Sequence, residues 1–115
     1  MISPALAVKL DVKPARVSVD SELEIRGDVR NLSDAVIDTR VSASVLLVDG
    51  EPAENWPLAI GNGIRDEREL ALPPGEQIEF QRNLPASSVL RGQGRHELIL
   101  VVSDVRSPAV TIERE

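Results

Sequence analysis

The side chains able to do chemistry in this chain are few, and their surroundings limit what they can do. The only histidine is His96. It alternates with Leu98, Leu100 and Val102, so a strand would place it at the mouth of an apolar face. A general base needs a nucleophile within reach, and neither a serine elbow nor a Gly-rich loop accompanies this one. A partly buried histidine bonded to the backbone is the simpler reading. The carboxylates of Asp66, Glu67 and Glu69 form a pair-like run, but nothing apolar encloses them to raise one pKa. With no cysteine and one histidine the usual zinc ligands are missing, and no Asp-x-Asp-x-Asp-Gly series offers calcium its oxygens. No enzyme mechanism can be assembled from these residues, and no metal or other cofactor is expected.

Two short motifs could act outside catalysis. Arg26-Gly27-Asp28 spells an integrin-binding tripeptide, and Asn31-Leu32-Ser33 matches a glycosylation sequon. Both fall in or beside a strongly alternating segment, where Arg26 and Asp28 point outward and Gly27 joins the core layer. Strand and turn chemistry accounts for them, with Gly27 marking a bulge or close packing. A sugar platform would need several aromatic rings, and the chain has only Trp56 and Phe80. Phe80 follows Ile78 on one strand face and reads as core. Trp56, beside Pro57, either covers a sheet edge or, if exposed, makes a protein-binding hot spot.

The elements that must hold these residues read mostly as strands. Leu6, Val8, Leu10 and Val12 alternate with Ala7, Lys9 and Asp11, and Pro14 then kinks the chain before Arg16–Val19, which resumes on the other sheet. Leu23, Ile25, Gly27 and Val29 oppose Glu24, Arg26, Asp28 and Arg30. A second run puts Ile37, Thr39, Val41, Ala43, Val45 and Leu47 on one face, and Asn31–Asp34 has turn chemistry between the two runs. This predicts a long antiparallel hairpin over Glu22–Gly50, reversing again at Asp49-Gly50. Asn55–Ile60 is expected as a short edge strand, and a further strand is expected from near Glu67. Pro73-Pro74-Gly75 is a turn before the strand Gln77–Leu84. A short helical turn at Ala86–Leu90 leads to the strand Arg95–Ser103, apolar on both faces near its end and therefore central. The last strand is Ala109–Glu113. Seven to nine short strands with turn signals between them specify an all-β, immunoglobulin-like antiparallel β-sandwich, with residues 1–115 as one domain.

Length and charge bound the partners. A chain of 115 residues can bury about two-thirds of the surface its unfolded form exposes. The net charge of −6 resides in residues 49–80, which carry eight acidic and two basic groups. An acidic domain repels phosphate backbones, so nucleic acid is not an expected partner. No apolar run approaches the roughly twenty residues that span a bilayer, so membrane insertion is not expected either. The acidic run reads as a solvated edge, or else as a site for a cation or a basic partner.

The residues Gly27-Asp-Val-Arg-Asn31-Leu-Ser33, the strand ending at Asp49-Gly50, Leu72-Pro-Pro-Gly-Glu76 and Gly94-Arg-His-Glu-Leu98 carry a resemblance over most of residues 22–102. The chain resembles bacterial immunoglobulin-like modules: the CARDB and FxLYD types and the bacterial intracellular proteinase inhibitor family. It departs from the FxLYD signature in having no tyrosine and one phenylalanine. These are turn and strand motifs, so the resemblance implies a fold more than an activity. Together with the composition it implies a non-enzymatic module for protein contact, assembly or spacing in a bacterial envelope or secreted protein. Its partner would be another protein or a neighbouring domain, met through loops or through the first or last strand as an edge. The candidate contact residues are Glu54, Asn55, Trp56, Arg65, Asp66, Glu67, Arg68 and Glu69. The alternative is a small protease inhibitor or regulator, with the loop Gly50–Gly63 or Pro85–Gly94 entering an enzyme cleft. The sequence sets no oligomeric state.

Overall fold

Alternation of apolar and polar side chains produces two facing sheets in the computed structural model, which describes residues 5–18, 20–62 and 67–115. Strands β1 (Leu6–Lys13), β3 (Glu22–Asn31) and β6 (Gln77–Pro85) form one antiparallel sheet in the order β1-β3-β6. The other has the order β2-β9-β7-β4-β5, built from β2 (Arg16–Val17), β4 (Val45–Val48), β5 (Glu51–Pro52), β7 (Gly94–Val102) and β9 (Val110–Arg114). A short strand, β8 (Val105–Arg106), turns back on the end of β7. Two short helices, α1 (Trp56–Asn62) and α2 (Ala86–Val89), complete the regular structure.

The inner faces meet in one apolar core. Val8, Val12, Leu23, Ile25, Val29 and Ile78 face Leu46, Leu98, Leu100, Val102 and Ile112, all buried. Each such side chain contributes roughly 1.5–3 kcal/mol by leaving water. As the sequence predicts, β7 is central in its sheet, and the chain crosses sheets after Pro14, so that β2 runs parallel to the end of β9. The Asp49-Gly50 reversal has both residues at positive φ, 54° and 86°, the two-residue hairpin geometry that matches strand twist.

Three expectations are corrected. Glu22–Gly50 is not a hairpin: β3 pairs with β1 and β6, whereas β4 pairs with β5 and β7 in the opposite sheet. Between them Ile37 bridges to Leu72, and a 3-10 turn at Val41–Ala43 shifts the alternation, so Leu46 points inward rather than Val45 and Leu47. The segment expected as an edge strand at Asn55–Ile60 is α1, and the strand expected near Glu67 is a 3-10 turn at Glu67–Leu70. Helix α1 packs against β4 of one sheet and β6 of the other.

The first and last strands begin and end at opposite poles. Leu6 pairs with Asn31, whose amide reaches Leu72; Thr39 bonds to Glu69 and Ser103 to Thr39 at this same end. Arg114 pairs with Gly94 and Val17 at the other end, where the Asp49-Gly50 turn and His96 also lie. The long axis measures 44 Å, against 32 and 20 Å for the others.

Candidate protein-contact surfaces

The six described candidate contact residues do not converge on one surface. Trp56 is fully buried at the start of α1. Its indole N–H donates to Ser44 Oγ at 2.9 Å, and its ring centre lies 6.4 Å from that of Phe80. It covers the gap between β4 and β6 from within and offers no exposed ring to a partner. Glu69 is also buried, and its backbone carbonyl accepts both the N–H and the hydroxyl of Thr39. Glu54, Asn55, Glu67 and Arg68 face solvent. Arg65 and Asp66 lie outside the described residues.

Helix α1 is held from below by Arg82. The guanidinium Nε donates to Ala59 O at 2.9 Å and a terminal nitrogen to Ile60 O at 3.3 Å, satisfying carbonyls in the last turn. A third bond, at 2.7 Å, goes to Gln81 O. Burial lowers the affinity of this guanidinium for its proton, and the nearby charge of Glu69 opposes that effect.

At the far pole, the β4–β5 hairpin and the segment from α2 to β7 enclose a cleft of about 360 Å³. Val48, Pro52 and Val89 line it, while Glu51, Glu54 and Arg91 stand around it, and Glu54 and Arg91 approach to 3.6 Å. Of this group Glu54 is a candidate contact residue from sequence, and Glu51, Pro52, Val89 and Arg91 fall in the loops Gly50–Gly63 and Pro85–Gly94 of the inhibitor alternative. The hairpin signal at Asp49-Gly50 marks one wall, but nothing local indicates that α2 supplies the other.

His96 is buried beside this cleft. Its Nδ1 lies 2.6 Å from Asp49 Oδ2 and its Nε2 lies 3.0 Å from Gly92 O. The second carboxylate oxygen of Asp49 accepts the Glu97 N–H at 2.9 Å. That backbone bond first, and the histidine contact second, hold the Asp49 carboxyl below its usual range. The imidazole therefore ties a turn to a loop, and among the described residues no hydroxyl or amine is bonded to either nitrogen.

The two short motifs are structural. Asn31 is fully buried, donating through Nδ2 to Ala35 O and Leu72 O and accepting from the N–H and hydroxyl of Ser33. Its amide is fully engaged, so the sequon encodes a turn lock. Arg26 and Asp28 lie mid-strand on the outer face of β3, where Arg26 pairs with Glu24 at 3.1 Å. Desolvation first, then the adjacent Glu79, raises the pKa of Asp28, against the opposing pull of Lys9 and Arg30.

The overall fold recurs in known structures. A solved CARDB domain from Pyrococcus furiosus, in complex with di-metal ions, superimposes with a TM-score of 0.63 at 15% identity, over 95% of this chain and 91% of that one. The chain has the fold of a CARDB domain. The CARDB-like sandwich also occurs within larger chains. It matches the Pseudomonas fluorescens alkylpurine DNA glycosylase AlkC at a TM-score of 0.65 and 14% identity, covering 96% of this chain and 30% of that one. It matches a β-glucosidase from Erythrobacter marinus at 0.63 and 16% identity, covering 96% of this chain and 15% of that one. No family model and no curated protein matches the sequence. Among the described residues no three His, Cys, Asp or Glu side chains are grouped to hold a metal ion. No helix there is long and apolar enough to cross a membrane.

Proposed function

We propose that this CARDB-like sandwich is a non-enzymatic module for protein contact, assembly or spacing. The observation that carries the reading is the placement of its first and last strands, which begin and end at opposite poles of a 44 Å long axis. Such a module can be joined end to end with neighbours while its sheet faces and loops stay available. The use of similar sandwiches as 30% and 15% of two larger chains supports the same reading.

The contact surface we propose is the acidic rim of the cleft, with exposed Glu51 and Glu54 and the neighbouring Asn55. Its charge suits a basic partner surface, through steering more than through individual ion pairs. The burial of Trp56 removes the projecting anchor that a loop-inserting inhibitor would use.

The test is affinity capture from cells of the source organism, with the folded chain as bait, followed by turnover assays on the same preparation. Recovery of a specific protein whose binding falls on Glu51→Lys and Glu54→Lys supports the proposal. Release of a base from alkylated DNA or hydrolysis of a glycoside by the isolated chain would overturn it.

A further inference from the structure

The exposed edge of the three-stranded sheet is complementary to itself. Strand β1 pairs only with β3, and among the described residues no strand is hydrogen-bonded to its other side. The bond from Leu32 N–H to Ala5 O continues the β1–β3 register, so the odd-numbered residues of β1 direct their backbone groups toward β3. The N–H and C=O groups of Leu6, Val8, Leu10 and Val12 therefore face outward. Their side chains turn to the core, and of these four only Leu10 is left half-buried. Lys9, Asp11 and Lys13 stand exposed on the outer sheet face.

We propose that two copies of the chain associate antiparallel through β1, with the two-fold axis at Leu10. Val8 then pairs with Val12 of the second copy, and Leu10 with its own equivalent, through outward-facing backbone groups that are already in phase. Lys9 faces Asp11 of the second copy in a non-hydrogen-bonded pair, where side chains approach most closely, and the symmetry repeats the contact. Moving the axis to Lys9 would oppose Lys9 to itself. Moving it to Asp11 would oppose Asp11 to itself and Lys9 to Lys13. An axis at Val12 would set Asp11 against Lys13 but run past the end of β1 onto Pro14, which has no N–H, so charge and strand length together select the Leu10 register, and the product is a continuous sheet of six strands. The proposal rests on the reading of the chain as a contact module and names one of its contacts.

Three other edges are less suited to this use. Pro52 in β5 has no N–H to offer a ladder, and β2 is two residues long. On β6 the outward carbonyl of Gln81 is already bonded by Arg82, whose guanidinium also anchors α1. An edge protected only against pairing carries lysines of one sign. The alternation Lys9, Asp11, Lys13 instead supplies both signs at the spacing a two-fold pairing requires.

The test is sedimentation equilibrium of the intact chain between about 10 µM and 1 mM, combined with amide hydrogen exchange. Backbone pairing over one short strand predicts a weak dimer, with Kd on the order of 100 µM. Lys9→Asp and Asp11→Lys should each raise Kd about tenfold or more, because each opposes like charges twice across the axis. The double variant K9D/D11K should restore dimerisation. Each swap also disturbs β1–β3 contacts, with Asp28 beside Lys9 and Arg26 beside Asp11, and the double variant does not repair those. Rescue of the dimer without rescue of the unfolding midpoint therefore separates the intermolecular contact from a folding defect. The amides of Val8, Leu10 and Val12 should gain protection with concentration. A wild-type chain that stays monomeric at about 1 mM, or a dimer indifferent to Lys9→Asp, would overturn the proposal. A monomer that still captures another protein loses this contact and keeps the module reading; glycoside or base-release turnover would do the reverse.

Discussion

The ring of Phe80 lies against the Cα of Gly27 on the neighbouring strand, so closely that a Cβ at Gly27 would overlap three ring carbons. An aromatic side chain has taken the volume that a β-strand glycine leaves open, on the core side of the sheet. The ring reaches on to Trp56, which links the β3–β6 ladder to α1.

Replacing Gly27 by alanine should therefore destabilise the protein by roughly 1–3 kcal/mol, although alanine is usually the better strand residue. Urea unfolding measures this directly. Gly27→Ala combined with Phe80→Leu should recover part of the loss, because the smaller side chain yields the space. An unchanged midpoint in the single variant would show that the ring is not held there.

Trp56 is the single tryptophan, so its fluorescence reports on one site. Emission should be blue-shifted and poorly quenched by iodide in the native state, and should redden on unfolding. Trp56→Phe keeps an aromatic ring but leaves Ser44 Oγ without its donor, at a cost of roughly 1–3 kcal/mol. Trp56→Ala should cost roughly 3–5 kcal/mol. Native emission at the position of free tryptophan would contradict the burial.

Two carboxylates should give opposite pH signatures. The Asp49 pKa is lowered on folding, so its stabilisation is present above the unfolded value and is lost as pH falls through the folded value. Asp49→Asn should therefore be less stable than wild type at neutral pH, with the two curves converging in acid. The Asp28 pKa is raised, so its favourable contribution holds below the unfolded value and is lost as pH rises through the folded one. Asp28→Asn should gain stability at neutral pH and lose that advantage in acid. Thermal unfolding from about pH 2.5 to 7 checks both signs.

Asn31 donates to two carbonyls, and aspartate would turn those contacts into repulsions. Asn31→Asp should destabilise by roughly 2–4 kcal/mol at neutral pH, and less where the carboxyl is protonated. Expression through a glycosylating secretory pathway should give no sugar at Asn31 in the folded protein, read by intact mass.

Local sequence makes much of this architecture legible. The strands β1, β3, β6, β7 and β9 alternate over five or more residues, and a period of two can bury one face only as a strand. The turn at Asp49-Gly50 and that at Gly75, with φ of 77°, follow from residues tolerant of positive φ. The helix α1 left a usable trace, since Trp56 and Ile60 are four apart and both buried, with Pro57 in the first turn. The single proline and the shortness of the segment favour an edge strand equally well.

What local pattern does not contain is which strand lies beside which. Ile37–Leu47 alternates as well as β3 does, yet its first part bridges to Leu72 and its last part pairs with β7 in the opposite sheet. Alternation tells a residue that it has an inner face, while the partner is chosen by closing both sheets around a shared core. The same holds for the sites. The types of Glu54, Trp56, Glu69 and His96 were plain in sequence. Their exposure, and the meeting of Asp49 with His96 across 47 positions, came from long-range packing alone. For this chain the sequence determined the faces of the strands and the sites of several turns. Tertiary structure decided the edges, because an unpaired edge is defined by the strands that are not beside it.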